Sequence, residues 1–128
     1  CLGTSLNKLG YDHVFYVKIA SGSVFSYLVN KGDTNAIRRT VNNILLDGPS
    51  LRAYRHFPNV GKRKSWAAAD ASKRGIEISI ISSHEDEIYE SVQKEDKWGF
   101  ETNFLEIRNL ICSTFQSLEN EFNLNDVK

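Results

Sequence analysis

The sequence predicts an α/β domain of α+β type, a small three-stranded sheet flanked by helices in the order β-β-α-α-β-α-α. Three observations predict it. His13 to Ile19 (HVFYVKI) and Val24 to Val29 (VFSYLV) are rich in β-branched and aromatic residues and flank a short connection containing Gly22, the pattern of a β-hairpin. Ile76 to Ile81 (IEISII) has one apolar face and one more polar face, as a third strand would. Elsewhere, apolar residues recur at helical spacing.

Taken in order, residues 1–12 form a loose lead-in, 13–122 a single domain, and 123–128 a tail. After the hairpin, Asn30-Lys31-Gly32-Asp33 breaks the pattern, and Asp33 or Thr34 can cap a helix. Ile37, Val41, Ile44 and Leu45 mark that helix, and Asp47-Gly48-Pro49 ends it. Residues 50–64 (SLRAYRHFPNVGKRK) have no clear period and form a basic, aromatic-bearing connection. Ser65 caps a short Ala-rich helix that Gly75 closes at its C′ position. The acidic stretch from His84 to Lys97 is expected to be helical in part, with a solvated face. Phe100 to Phe122 gives the longest helical pattern, with Phe104, Ile107, Leu110, Ile111, Phe115, Leu118 and Phe122 as its apolar stripe.

A chain of 128 residues is long enough to bury a core. No apolar run reaches the roughly 18–20 residues that cross a membrane, and a cytoplasmic location is expected. The sequence has no Met and begins at Cys1. Three readings of Cys1 stay open: an excision scar, the lipid-bearing first residue of a lipoprotein or secreted interaction protein, and an N-terminal nucleophile. Cys112, inside an apolar helical pattern, reads as a small buried hydrophobe.

The zero net charge hides a division. Residues 1–75 carry twelve Lys/Arg against four Asp/Glu, and residues 76–128 carry four against twelve, so the halves stand at +8 and −8. Such a field attracts a polyanion to one side, or joins two halves or two copies of a homodimer. The basic residues between 52 and 64 favour a binding face.

There is no CxxC pair, HExxH, Walker-type loop or GxGxxG. The histidines at 13, 56 and 84 are scattered and read as surface or structural residues. What remains is Tyr16 on the first predicted strand, Tyr27 on the second, Arg38 or Arg39 on the first helix, and Glu101 at the start of the last one.

In that order, Val14-Phe15-Tyr16, Tyr27-Leu28-Val29, Arg38 and Glu101 resemble the motifs of the GIY-YIG endonuclease superfamily. The likeness runs from about Val14 to Asn109. The first motif lacks its glycine, and Val29 stands where the second usually has one. The resemblance implies a metal-dependent endonuclease that hydrolyses phosphodiester bonds in DNA. Glu101 would hold a single Mg²⁺ or Mn²⁺, Tyr16 would sit by the attacking water, Tyr27 would orient it, and Arg38 would clamp the phosphate. Lys31, Arg39, Arg52, Arg55, Lys62, Arg63 and Lys64 would contact the nucleic-acid backbone, with Tyr54, His56 and Trp66 interleaved. A degenerate domain of the same fold, binding nucleic acid without cutting it, is the alternative.

Overall fold

The computed structural model describes residues 6–89, 92, 95 and 97–100. The regular elements among these residues are helices. Helix α1 spans Val14–Val29, α2 Thr34–Asp47 and α3 Arg63–Ser82, with a single 3₁₀ turn at Ala53–Arg55. Among the described residues there is no strand, and the one β-type contact is an isolated antiparallel bridge between Tyr11 and Leu51.

The expected three-stranded α/β fold is therefore corrected. Both halves of the predicted hairpin and its connection lie on one continuous helix, α1. The third predicted strand, Ile76–Ile81, continues the helix that begins at Arg63. The reason is packing at the centre of the molecule. Gly22 of α1 lies against Gly75 of α3: a Cβ on Gly22 would come within 2.8 Å of the Gly75 carbonyl oxygen and of Ile44 Cδ1. A Cβ on Gly75 would meet Ser21 Oγ at 2.6 Å and the Gly22 nitrogen at 3.0 Å. Each glycine is thus a point of backbone approach inside a helix, not a turn. Tertiary packing overrides the β propensity of the flanking Val, Ile, Phe and Tyr residues.

The small residues around this crossing bring the helices close along their length. Gly22 and Ser26 are buried on α1; Ala67, Ala71, Gly75, Ser79 and Ser82 are buried on α3. Ser21 Oγ lies 2.8 Å from the Val17 carbonyl of its own helix and 3.3 Å from the Ser72 carbonyl across the interface. Val14 clusters with Ala67 and Ala71, while Gly22 meets Gly75, so α1 and α3 run parallel. Helix α2 runs against both: its C-terminal Gly48 carbonyl accepts from Lys18 Nζ at 3.0 Å, and Asn43 Nδ2 donates to Ser82 Oγ at 2.9 Å. The core beside the crossing consists of Leu6, Phe15, Ile44 and Ile78, with Tyr11, Tyr16, Ile19, Leu45 and Phe100 against it.

Helix α2 and its flanking turns follow the sequence pattern. The Asp33 side chain accepts from the Asn35 amide at 3.0 Å, and Gly48 ends the helix at φ 68°. Before it, the break after α1 is a Schellman-type stop. Lys31 sits at φ 53°, and the Gly32 amide donates to the Tyr27 carbonyl at 2.8 Å. The cap of α3 is Lys62 rather than Ser65, whose Oγ donates to the Lys62 carbonyl. Gly75 lies inside α3 rather than at its end. His84–Tyr89 of the acidic stretch is not helical. Cys1, Cys112 and the predicted helix beyond Phe100 lie outside the described residues.

Candidate functional site

Because α1 and α3 are parallel, their N-terminal ends lie together, and the positive ends of both helix dipoles meet there. Neither helix has an acidic residue in its first turn. The α3 start instead carries Lys62, Arg63 and Lys64, and His13 caps α1. Placing cations on the positive end of a helix is locally unfavourable.

One carboxylate answers this charge. Asp12 is fully buried. Its oxygens accept from Arg55 Nε at 2.8 and 3.0 Å, from the Tyr54 hydroxyl, and from the Val14 amide at 3.4 Å. Burial pushes the Asp12 carboxyl up, but the bonds from Arg55, Tyr54 and Val14, with the Arg55 charge, more than reverse this and leave it below its ordinary value. The same contacts act on the partners. Burial, then the bond to Asp12, raises the Tyr54 hydroxyl; the bond to Asp12 raises the Arg55 guanidinium.

The segment bearing Tyr54 and Arg55 is also held through its backbone. The Asp12 amide donates to the Ser50 carbonyl at 2.8 Å, and the Arg52 amide donates to the Gly10 carbonyl at 2.6 Å. Arg52 then reaches three ways: Nη1 donates to Asn7 Oδ1 at 2.8 Å, Nη1 lies 3.3 Å from His13 Nδ1, and Nε donates to His56 Nε2 at 3.1 Å. His13 Nδ1 is also 3.1 Å from Asp12 Oδ1, and the His13 side chain is 46% exposed. It is therefore anchored on one edge and open to solvent.

Arg63 is held by rings. Its guanidinium carbon lies 5.2 Å from the Tyr54 ring centroid and 4.6 Å from that of Trp66. Arg55 lies 5.0 Å from the same Tyr54 ring. Among the described residues Arg63 has no carboxylate partner. It lines a small cleft with Val14, Lys18, Ser50, Asp70 and Arg74. On the far wall, Lys18 is 3.7 Å from Asp47, and burial lowers its ammonium pKa despite that partner. Arg74 Nε donates to Asp47 Oδ2 at 3.0 Å.

This end of the bundle gathers Arg52, Arg55, Lys62, Arg63 and Lys64. Of the other expected site residues, Tyr16 lies in the first turn of α1, while Tyr27, Lys31, Arg38 and Arg39 lie apart from this end. Tyr16 and Tyr27 sit on the same helix, eleven residues or roughly 16 Å apart along its axis. Tyr16 packs on the core, where burial raises its hydroxyl pKa. Tyr27 is exposed beside Gly32. Arg38 is exposed on α2, Arg39 Nε donates to the Ser82 carbonyl at 3.2 Å, and Lys31 is exposed in the turn before α2. Glu101, the expected Mg²⁺ or Mn²⁺ ligand, lies outside the described residues. Among those described, no group of three or more His, Cys, Asp or Glu could hold a metal ion, and no helix is long and apolar enough to cross a membrane.

Sequence reasoning missed Asp12, His13 and Tyr54 as a unit. Asp12 fell in the lead-in and His13 in a strand. The available signal was a carboxylate directly before a histidine, with Tyr and Arg adjacent to each other some forty residues on.

A family profile described as the MmgE/PrpD N-terminal domain matches residues 1–110. The chain belongs to the MmgE/PrpD family. It is 40% identical over 99 residues to the 2-methylcitrate dehydratase of Cupriavidus necator, covering 77% of this chain and 20% of that enzyme. It is 39% identical over 99 residues to that of Escherichia coli K12, with the same coverage, and 39% over 100 residues to a probable 2-methylcitrate dehydratase of Saccharomyces cerevisiae, covering 77% of this chain and 19% of the relative. The chain spans about a fifth of the length of these relatives. The nuclease resemblance is thereby overturned, and with it the readings as endonuclease, phosphodiester hydrolase and DNA-binding protein. The relatives are dehydratases, and the hairpin that carried the motif tyrosines is a single helix.

Proposed function

We propose that this chain forms the carboxylate-gripping part of a dehydratase acting on 2-methylcitrate or a close hydroxy-tricarboxylate. The observation that carries this is Arg63. It stands between two aromatic rings at the positive end of α3, beside Lys62 and Lys64, with no carboxylate partner among the described residues. A cation fixed by π faces keeps its N–H donors for an anion, and a planar guanidinium fits a carboxylate with two bonds. The charge division first suggested a polyanion; the dehydratase relatives favour a small carboxylate as that anion.

Dehydration removes a proton from one carbon and hydroxide from its neighbour, leaving a C=C bond and water. Such a reaction needs cations to hold the carboxylates and a group that moves a proton. On this reading Arg63 and Arg52 take the carboxylates. His13, 46% exposed and held at Nδ1 by Asp12 or by Arg52 according to its tautomer, moves the proton. A cytoplasmic or mitochondrial setting goes with this reading, since one matched dehydratase of Yarrowia lipolytica is named as mitochondrial.

The test is a chimera in which this chain replaces the matching 99 residues of the Escherichia coli enzyme. We expect dehydration of 2-methylcitrate, followed by ultraviolet absorbance of the new C=C bond. His13→Asn should lower kcat at least about a hundredfold, and Arg63→Ala should raise KM at least about tenfold. A folded chimera without activity overturns the reading. A His13→Asn chimera with unchanged kcat removes His13 from it.

A further inference from the structure

Asp12 has its whole side chain buried, yet all its side-chain partners belong to the site. It binds Arg55 and Tyr54 from one segment, and contacts His13 at the start of α1. Tyr54 in turn presents its ring to Arg63 of α3. Three separate parts of the chain thus meet through one carboxylate: the α1 start, the 3₁₀ turn and the α3 start.

A purely structural anchor for this turn would not need a charge. The Tyr11–Leu51 bridge and its flanking backbone bonds already pin the segment. A buried carboxylate with an arginine is a weak device for stability alone, since desolvation offsets much of the attraction. Its distinctive effect is to fix directions. The bond from the Tyr54 hydroxyl fixes where that ring lies, and so the place where Arg63 rests.

We propose that Asp12 is a positioning residue of the dehydratase site: it never touches substrate, but aligns the imidazole of His13 with the guanidinium of Arg63. This rests on the dehydratase reading above. Its chemistry is that of a hub, one carboxylate setting the spacing between a proton-transfer group and a carboxylate clamp.

Two measurements test it. In the full chain, Asp12→Asn should keep the helical circular dichroism while trypsin cleavage after Arg52 and Arg55 speeds up at least about tenfold, because the turn loses its charged tether. In the chimera, Asp12→Asn should raise KM about tenfold and lower kcat by a similar factor, and Asp12→Glu should recover part of both. A merely structural loss would lower the amount of active enzyme and leave KM alone. If Asp12→Asn fails to fold, Tyr54→Phe takes its place and should raise KM through Arg63 with kcat nearly kept. Unchanged cleavage in the full chain, or KM within twofold of the parent in the chimera, overturns the proposal. If the parent chimera is folded but inactive, the dehydratase reading fails, the alignment of a catalytic site fails with it, and the trypsin result still tells whether Asp12 tethers the turn.

Discussion

The two regions that hold this bundle together work by opposite means. At its middle, Gly22 and Gly75 let α1 and α3 touch backbone to backbone, and the contact depends on atoms that are missing. At its positive end, Asp12 draws Tyr54, Arg55 and His13 around one charge, and the contact depends on a group that is present. The first region should be sensitive to volume and indifferent to pH. The second should tolerate small changes of size and respond to anything that neutralises it.

The sharpest way to break the middle is Gly75→Val. Its Cβ would stand closer to the Lys18 carbonyl than real Cβ atoms do, and 2.6 Å from Ser21 Oγ. Backbone on the opposing helix cannot rotate away, so we expect a loss of about 3 kcal/mol or more and a melting temperature roughly 10 °C lower or more. Gly22→Ala should lose less, about 1–3 kcal/mol, because Ile44 Cδ1 can move though the Gly75 carbonyl cannot. Thermal melts of both variants with the same stability as the parent would show that the helices do not meet at these glycines.

These glycines also explain what the sequence concealed. Helix α2 was legible because its apolar residues fall on one face and its ends carry Asp33 and Gly48. Helix α1 has no such stripe. Val14, Phe15, Val17, Ile19, Val24, Phe25, Leu28 and Val29 spread around it, a pattern that suits a strand as well as a helix with apolar residues on every side. Gly22 then looked like a turn and Gly75 like a helix stop, since a glycine that makes room for another backbone reads locally as one that makes a turn. The missing information is the partner: Gly22 acquires its meaning from a residue 53 positions away.

Acid should reach the other region first. The folded Asp12 carboxyl lies below its unfolded value, so the stability it adds is fully present above the unfolded pKa near 3.9 and is lost as pH falls through the folded value. Urea midpoints from pH 7 to pH 3 should therefore fall more steeply for the parent than for Asp12→Asn. Parallel curves would mean that Asp12 is not held as the structure shows. Gly22→Ala should shift the whole curve without changing its shape, which separates the two regions in one experiment.

The site was legible only as charge. The basic residues between 52 and 64 were visible as a group, and Arg52, Arg55 and Arg63 do gather at one end of the bundle. What organises them was not visible, because Asp12 lies some forty residues earlier in a segment without periodicity. Tyrosines and a helical arginine in a suggestive order outweighed it, yet Tyr16 and Tyr27 turned out to share one helix with one ring in the core and the other in solvent.

Tyr54→Phe probes the charged region more gently. It removes one donor from a buried carboxylate that keeps Arg55 and the Val14 amide, so we expect about 1–2 kcal/mol in urea unfolding at pH 7. The ring remains for Arg63 to rest on, so the loss should shrink as the solution is acidified and Asp12 gains its proton. A loss independent of pH would assign the effect to packing instead.

Ser21→Ala should have the smallest effect, though it lies at the crossing itself. The hydroxyl has one proton to share among the carbonyls of Val17, Lys18 and Ser72. The shortest distance, 2.8 Å, is within its own helix, so little of the bond spans the interface. Alanine fits the space with one atom fewer, and the three carbonyls keep other uses as helix acceptors. We expect under about 1 kcal/mol, with the same loss at pH 7 and pH 4. A loss as large as that of Gly22→Ala would mean that the crossing is held by hydrogen bonding across α1 and α3 rather than by the absence of side chains.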